Sequence, residues 1–290
     1  MFTHTSVTSH LWLHQSRLYL TNAGLFVSGD QGILLDPGIY PHEITRWREF
    51  AAAHLLHLTH IVLTHSHWDH ILGPEYFPTL AIITHHEYLA QTAGVNGAKI
   101  SQTIESWFAT EKIEREMPFV LPQPTLTFSQ QMTLRVGVET VQFIHAPGHA
   151  ADQLVMYHAA TGLLWASDIL SDVEIPFVSH NLAAYERTLA MLAGWNIQVL
   201  VPGHGHIAHT PTEIEGRIHR DREYLAEVRG RVTHSLQQGH TLPETIALCT
   251  SIPYHYPAEN ALPHQRNIES VYLELGGEAN GTPIGWESEP

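Results

Sequence analysis

The chain has 290 residues, of which 43% are hydrophobic and only 15% are charged. That composition predicts a globular protein with one large core or a domain with an appendage, and it argues against a disordered or coiled-coil protein. The 14 Lys and Arg residues against 29 Asp and Glu residues give a formal net charge of −15. We therefore expect no nucleic-acid partner, because such a partner needs a surface of clustered cations.

Membrane and disulfide signals are also missing from the sequence. No apolar run approaches the roughly 20 residues that cross a bilayer, and the first residues lack the pattern of a secretory signal. Cys249 is the only cysteine, which excludes an intrachain disulfide and a multi-cysteine metal site. We therefore expect a soluble, cytoplasmic protein with no membrane partner, and its oligomeric state stays open.

The first half of the chain alternates apolar runs with helical patterns, separated by Pro and Gly residues. In chain order, the predicted elements are short strands within 11–36, the last ending at Asp36, a helix from Pro41 to about Leu58, strands at His60–Leu63 and Ala81–Thr84, and a mainly helical segment over 85–117.

From about residue 124 the hydrophobic period changes to two, which is typical of strands. The predicted strands are Thr125–Phe128, Met132–Val136, Val141–His145, Gln153–Tyr157, Leu163–Ala166 and Ile197–Val201. Between the last two strands, Asn181 is a good cap for a helix that runs to about Leu192.

The character of the chain changes again at Thr210. Thr210 and Thr241 each begin a capping-box pattern with an early proline, so each predicts the start of a helix, and a third helix is predicted at Pro263–Leu275. We therefore expect a first domain over 1–209, a C-terminal helical subdomain over 210–276, and a disordered tail over 277–290.

Histidine is unusually frequent, with 24 residues. At this frequency, pairs of the form His-x-His arise by chance, and the chain contains two of them. The longer pattern His65-x-His67-x-Asp69-His70 is not explained in this way, and it directly follows a predicted buried strand. Because imidazole and carboxylate groups suit Zn²⁺ and related ions, this loop predicts a metal site.

Three later residues strengthen the prediction of a metal site because each follows the end of a predicted strand. His149 lies in Pro147–His149, Asp168 follows the strand Leu163–Ala166, and His204 lies in Pro202–Gly205. Ligand-type side chains at several strand ends are what a metal cleft at one edge of a sheet requires.

With these pieces in this order, the sequence resembles the metallo-β-lactamase superfamily over about residues 12–209. The resemblance implies an α+β fold, an αββα sandwich, here with a C-terminal helical extension. It implies that His65, His67 and His149 bind a first metal ion, that Asp69, His70 and His204 bind a second, and that Asp168 bridges the two. It also implies that Asp36 holds the ligand loop by hydrogen bonds without touching metal.

The chemistry implied by the resemblance is hydrolysis. Two divalent ions, with zinc favoured over manganese, iron or cobalt, generate a bridging hydroxide that attacks an ester-like bond of a small-molecule substrate: an ester, lactone, thioester or amide. Asp69 is the candidate catalytic residue, because it lies beside that hydroxide and can shuttle its proton.

Differences from the residue patterns of known branches narrow the choice of branch within the superfamily. B1 β-lactamases have Cys at the position of Asp168 and Arg at that of His70, and flavodiiron proteins have Glu at that of His67. Quorum-quenching lactonases have a catalytic Tyr where this chain has Ser171, so Ser171 is a candidate for a supporting or substrate contact. The chain is most similar to the branch of lactamase-β-2-like hydrolases and glyoxalase-II-like thioesterases, although it lacks lysines near the C-terminal helices, where the latter bind glutathione. The helical extension over 210–276 most resembles that of the lactamase-β-2-like hydrolases, and there His264 is a candidate contact of the same kind.

Several alternatives stay open at this point. A persulfide dioxygenase of this fold binds one iron through two His and one Asp, a nuclease or phosphodiesterase attacks phosphorus, and a non-catalytic relative only binds. It is also open whether the segment 85–120 forms an aromatic lid over the substrate or only packs as helix; its large apolar side chains are Tyr88, Trp107, Phe108, Met117 and Phe119.

Overall fold

The computed structural model describes residues 4–278, so most of the predicted disordered tail lies outside the described residues. The twelve strands in this part of the chain are β1 (Thr5–Ser6), β2 (Leu11–Gln15), β3 (Asn22–Ser28), β4 (Gln31–Leu35), β5 (His57–Val62), β6 (Ala81–His85), β7 (Leu126–Phe128), β8 (Gln131–Val136), β9 (Glu139–His145), β10 (Leu154–His158), β11 (Leu163–Ser167) and β12 (Val199–Pro202). The seven α-helices are α1 (Pro41–Ala53), α2 (Tyr88–Gln91), α3 (Gly94–Thr110), α4 (Leu182–Leu192), α5 (Pro211–Gln237), α6 (Leu242–Cys249) and α7 (Ala261–Glu274).

The strands form two sheets. The first sheet has the order β1-β2-β3-β4-β5-β6-β7, with antiparallel pairing up to β4 and parallel pairing from β4 to β7. The second sheet has the order β12-β11-β10-β9-β8, and only the β11–β12 pair is parallel. The parallel pairs bring the ends of β4 and β5 together in one sheet and the ends of β11 and β12 together in the other.

Three apolar clusters hold these layers together. The central cluster joins the two sheets, for example through Phe26 and Val62 of the first sheet and Phe143 and Trp165 of the second. A second cluster lies between the first sheet and α1 and α3, and a third lies between the second sheet and the helices α4 to α7. This arrangement is the predicted αββα sandwich with C-terminal helices.

The predicted helix starts are confirmed by their caps. The Asn181 side chain accepts a hydrogen bond from the backbone N–H of Ala184 (2.7 Å), and that of Thr210 accepts one from Glu213 (3.2 Å). Because α5 and α7 share one apolar cluster with α4 and the second sheet, the C-terminal helices are firmly attached to the sandwich. The division into a domain over 1–209 and a subdomain over 210–276 stays a prediction.

One element boundary was predicted wrongly. The first helix ends at Ala53 and not near Leu58, and β5 begins at His57. The reason is pairing, since His57 aligns with Gln31 of β4 in a parallel ladder, and the chain reverses through Leu55, whose φ is +56°. Across residues 4–278, no helix combines the length and apolarity that crossing a membrane would require.

Candidate metal centre

The loops after four strands bring the predicted ligands to one place. The loop after β5 supplies His65, His67, Asp69 and His70, and the loop after β9 supplies His149. Asp168 directly follows β11, and His204 follows β12. The structure therefore brings together all seven residues that the sequence pattern singled out, although they are scattered from residue 65 to residue 204.

The first group of side chains consists of His65, His67, His149 and Asp168, and one nitrogen or oxygen atom of each lies within 4.8 Å of the others. Asp168 Oδ2 lies 3.3 Å from His149 Nε2 and 3.5 Å from His65 Nε2. His149 Nε2 lies 2.9 Å from His67 Nδ1. Three imidazoles and one carboxylate thus converge on a volume the size of one ion.

The second group consists of Asp69, His70 and His204, again with one atom of each within 4.8 Å of the others. His204 Nε2 lies 3.3 Å from both Asp69 Oδ2 and His70 Nε2. Asp168 joins this group to the first, since its Oδ1 lies 3.0 Å from His70 Nε2 and its Oδ2 lies 3.5 Å from His204 Nε2. The two groups therefore share one carboxylate.

The hydrogen bonds on the far side of the rings aim the lone pairs at this centre. Nδ1 of His149 donates to the carbonyl of Phe177, and Nδ1 of His204 donates to the carbonyl of Tyr19, both at 3.1 Å. A neutral imidazole that donates through Nδ1 has its lone pair on Nε2. His65 Nε2 is buried and makes no hydrogen bond within the described residues, and Asp168 Oδ2 lies 3.5 Å from it. Nitrogen lone pairs and carboxylate oxygens that converge in this way fit divalent cations such as zinc.

The electrostatics differ between the two groups of ligands. Burial, together with the neighbouring His65, holds the pKa of His67 well below its ordinary value, and burial lowers the pKa of His149 to about 3, so both rings are neutral. Burial opposes ionisation of Asp69 and Asp168, but the neighbouring His70 and His204 outweigh it and lower the pKa of both carboxyl groups. The neighbouring carboxyl groups in turn outweigh burial and raise the pKa of His70 and His204 well above its ordinary value. The buried carboxylates therefore attract positive charge to this point, which protons on these two rings or metal ions in their place would supply.

Asp36 lies behind the ligand loop. Its carboxylate accepts hydrogen bonds from the backbone N–H of Thr64 (2.9 Å), from the Thr64 hydroxyl (2.7 Å) and from Nδ1 of His70 (3.1 Å). Asp36 is 1% exposed and has a φ of +42°, a backbone conformation that non-glycine residues rarely adopt. These contacts fix where the loop starts and how the His70 ring is turned.

Two glycines explain why both later histidines follow a Pro-Gly sequence. A Cβ atom on Gly203 would lie 2.0 Å from Asp168 Oδ1, and one on Gly148 would lie 2.3 Å from the Cα of Tyr185 in α4. Gly148 also has a φ of +144°. Only glycine lets the backbone before His149 and His204 come so close to these neighbours.

Ser171 is buried, and its hydroxyl bonds to the backbone of the ligand loops. Its hydroxyl donates to the carbonyl of His204 (3.0 Å) and accepts the N–H of Glu174 (3.1 Å). Tyr185 is buried, and its hydroxyl donates to the carbonyl of Asp168 at 3.2 Å. Both side chains therefore position the ligand loops.

Sequence reasoning had assigned no role to Glu174. Burial raises the pKa of its carboxyl to about 7, and the carboxyl group interacts electrostatically with His204 and Asp168. The only sequence feature that pointed to Glu174 was its place in the segment after Asp168.

A cavity of about 630 Å³ lies apart from the metal centre. It is lined by Ile175, Arg220 and Tyr254, among others, and by none of the seven converging residues.

The described hydrogen bonds of His264 go to the C-terminal helices and to none of the seven converging residues. Its Nδ1 accepts a hydrogen bond from the Tyr224 hydroxyl (2.9 Å), and its Nε2 donates to the carbonyl of Cys249 (3.1 Å). Both ring nitrogens are thus used in joining α5, α6 and α7. The spacing of His264 in the sequence carried no information about this packing.

The large side chains of the segment 85–120 divide between packing and the centre. Tyr88 is fully buried and donates to the carbonyl of Pro122, and Phe108 and Phe119 pack against the cluster on the first sheet. Trp107, in contrast, stacks on Trp68 of the ligand loop, with ring centroids 5.3 Å apart. Trp107 therefore contacts the ligand loop through the Trp68 ring.

The profile of the metallo-beta-lactamase superfamily matches residues 16–204, which is more than half of the chain. Among curated relatives, the chain is 27% identical over 233 residues to the probable metallo-hydrolase YqjP of Bacillus subtilis, covering 70% of this chain and 73% of that protein. It is 21% identical over 231 residues to the acyl-coenzyme A thioesterase MBLAC2 of Homo sapiens, covering 70% and 81%.

A third relative is much longer than this chain. The match to the linear primary-alkylsulfatase of a Pseudomonas species is 22% identical over 181 residues, but it covers 58% of this chain and only 34% of that enzyme. The structure of the sec-alkylsulfatase Pisa1 from Pseudomonas superposes with a TM-score of 0.74 and 14% identity, covering all of this chain and 52% of that one. A metallo-beta-lactamase family protein of Thermus thermophilus superposes with a TM-score of 0.69 and 21% identity, covering 96% and 98%.

The sandwich, the His and Asp cluster at its edge and these relatives together define the class of the molecule, a metal-dependent hydrolase. Within that class, the chain belongs to the metallo-beta-lactamase superfamily.

Proposed function

We propose that this protein binds two divalent metal ions, zinc in the first place, and hydrolyses an ester-like bond of a small molecule. The observation that carries the proposal is the shared carboxylate of Asp168, whose two oxygens lie 3.0 Å from His70 Nε2 and 3.3 Å from His149 Nε2. One side chain that faces both groups of ligands is suited to bridge two ions. Bound there, the ions would supply an activated water as nucleophile and would polarise the substrate oxygen.

The residues of the chain have distinct roles in this proposal. His65, His67 and His149 would hold one ion, Asp69, His70 and His204 would hold the other, and Asp168 would be shared between the two groups. The surrounding carboxylate and carbonyl groups of Asp36, Phe177 and Tyr19 keep the histidine rings turned towards the ions. Asp69 stays ionised, because the neighbouring His70 and His204 outweigh burial and lower its pKa, so its carboxylate can accept a hydrogen bond from the attacking water and orient it. We assign to Asp69 the transfer of that water's proton because of its place among the ligands.

The ester class follows from charge and from the relatives. A formal net charge of −15 disfavours polyanionic substrates such as nucleic acid. One similar protein is an acyl-coenzyme A thioesterase, which cleaves a thioester. We therefore place esters, thioesters, lactones and amides first.

A sulfate ester is the second candidate. The observation that favours it is the sequence similarity to a linear primary-alkylsulfatase over 58% of this chain. An alkyl sulfate therefore belongs among the test substrates.

The experiment that tests the proposal uses the full chain, stripped with a chelator and reconstituted with zinc. It is assayed with p-nitrophenyl esters, thioesters, lactones, a cephalosporin, a phosphodiester and dodecyl sulfate. We expect turnover of at least one ester-type substrate that is lost in the stripped protein and restored by zinc. Turnover of the phosphodiester alone, or ester turnover that does not respond to metal, would contradict the proposal.

A further inference from the structure

Three aromatic side chains from three separate segments meet beside the metal centre. Trp68 and Trp107 are stacked, with ring centroids 5.3 Å apart and an angle of 14° between the ring planes. The Tyr19 ring stands edge-on to both, at 5.6 Å from Trp107 and 6.5 Å from Trp68. We call these three residues the aromatic wall.

Each end of the aromatic wall is tied directly to the candidate ligands. Trp68 lies between His67 and Asp69 in the ligand loop. The backbone carbonyl of Tyr19 accepts the hydrogen bond from Nδ1 of His204. The backbone that carries the wall is therefore joined to both groups of ligands, by the chain at Trp68 and by one hydrogen bond at Tyr19.

Tyr19 adopts a backbone conformation that is unfavourable for a residue other than glycine. Tyr19 and Leu20 both have a φ of +52°, a conformation that costs free energy for residues other than glycine. This conformation is compatible with the carbonyl of Tyr19 pointing at His204 while its side chain stays 39% exposed. Strained residues are frequent at binding sites, where the surrounding structure holds them in place.

Helix packing alone is a poor explanation of Trp107. The helix α3 is already anchored by Ile104, which is fully buried, and by Gly97, where a Cβ atom would lie 2.1 Å from the carbonyl of Thr92. Trp107 is only partly buried, and its described ring contacts are with Trp68 and Tyr19. Exposed ring surface beside a polar centre is suited to bind apolar groups.

We propose that the aromatic wall binds the apolar part of the substrate, an alkyl or aryl group next to the bond that is cleaved. This inference rests on the proposed function and narrows it to esters or thioesters of apolar acids. Each methylene group of the substrate that moves from water into contact with the rings improves substrate binding by about two- to fourfold. Specificity for hydrocarbon chains then comes from Tyr19, Trp68 and Trp107, and the reaction type comes from the metal ligands.

The test is the dependence of kcat/KM on acyl length. The zinc-reconstituted protein is assayed with p-nitrophenyl acetate, butyrate, hexanoate and octanoate. We expect kcat/KM to rise about two- to fourfold per methylene group, mainly through KM. Trp107→Ala should remove most of this dependence, so that the ratio of kcat/KM for octanoate to that for acetate falls by about tenfold or more, whereas Trp107→Phe should keep the dependence.

Two further variants test whether the loss of length dependence is specific to the aromatic wall. Trp12→Ala removes a partly buried tryptophan whose described ring contacts are with Phe50 and His54 and not with the wall, so the length dependence should be retained. Tyr19→Gly removes a ring of the wall while a glycine accepts the φ of +52°, so the dependence should weaken. Metal content is measured for every variant and should be unchanged in Trp107→Ala, Trp107→Phe and Trp12→Ala.

A binding measurement separates this inference from the proposed function. Titration of the metal-free protein with 1-octanol should change the tryptophan fluorescence, and the change should be lost in Trp107→Ala but kept in Trp12→Ala. Octanol binding of this pattern in a protein that cleaves no ester would support the wall and refute the proposed function. Ester turnover that is equal for all acyl lengths, or equally length-dependent in Trp107→Ala, would overturn the wall and leave the proposed function standing.

Discussion

The edge of the sandwich and the interface between the C-terminal helices both bury histidine side chains, but they satisfy the rings differently. In the helices, each ring nitrogen of His264 has its own partner, a hydroxyl on one side and a carbonyl on the other. At the sandwich edge, the outer nitrogens of His149 and His204 bond to carbonyls, and their inner nitrogens face other ligands. The partners of a buried histidine therefore distinguish a metal ligand from a structural residue better than its burial does.

The largest effect is expected in the second His-x-His pair, because one of its histidines belongs to the metal centre and the other does not. His204 is 4% exposed and faces the centre, whereas the His206 side chain is 67% exposed and pairs with Asp172 at 2.9 Å. We expect His204→Ala to lower kcat/KM by about 10³-fold or more, because one ion loses a ligand. His206→Ala should stay within about twofold.

Steady-state hydrolysis and elemental analysis of the two variants provide the comparison. His204→Ala should also lose metal, and His206→Ala should not. Wild-type turnover and metal content in His204→Ala would place this histidine among the structural ones and break the distinction.

Removal of metal should destabilise the sandwich edge, since buried Asp69 and Asp168 are left without the charge that compensates them. An ion present at about 1,000 times its dissociation constant stabilises the native state by about 4 kcal/mol. For a chain of this size we expect the melting temperature to fall by about 5–15 °C on chelation and to recover when zinc is returned. Differential scanning calorimetry measures both steps. A melting temperature that stays the same when zinc is removed and returned would contradict the proposed metal centre.

A smaller effect is expected behind the ligands, at Asp36. Asp36→Asn keeps the size of the side chain but replaces one acceptor oxygen, so Thr64 and His70 lose part of their orientation. We expect metal affinity to fall by about 10- to 100-fold. Asp30→Asn is the matched control, because Asp30 lies exposed in the turn between β3 and β4. Competition with a chromophoric chelator measures the affinities, and equal values for both variants would remove Asp36 from the site.

The smallest effect concerns the pH dependence of stability at His264. Burial lowers the pKa of its ring, so the native state favours the neutral form. Stability is fully present above the unfolded pKa of about 6.5 and is lost as the pH falls below that value, because the unfolded chain then binds the proton more strongly. His264→Gln should lower the unfolding free energy by about 1–2 kcal/mol at pH 7.5 and should weaken its dependence on pH.

Urea unfolding of the metal-free protein at pH 7.5 and 5.5 measures this dependence for the original chain and for His264→Gln. The metal ligands are the same in both proteins, so their own titration cancels in the comparison. Identical changes with pH in the two proteins would show that His264 does not contribute.

The metal centre was the most predictable part of the molecule. Its residues follow strand ends and lie in short patterns that contain glycine, and Gly148 and Gly203 are required there by close contacts with Tyr185 and Asp168. Local signals of this kind survive in a single sequence. The caps of α4 and α5 were predictable for the same reason, since a cap and its partner are three residues apart.

Other features depend on contacts between distant parts of the chain, which a single sequence does not reveal. The aromatic wall needs Tyr19, Trp68 and Trp107 to meet, and no local pattern relates them. The end of α1 is set by the pairing of β5 with β4, and the partners of His264 come from two other helices. In each case, contacts between residues that are distant in the sequence determine a feature that the local spacing of residues does not predict.

The number of metal ions per chain tests the central claim most directly. The full chain is stripped, titrated with zinc, freed of excess metal and analysed for metal and protein in the same sample. Because the two groups of ligands share Asp168, we predict two zinc ions per chain, with the second lost selectively in His204→Ala. A limit of one ion per chain, with iron retained in preference to zinc, would contradict the dinuclear hydrolase and favour a mononuclear iron enzyme.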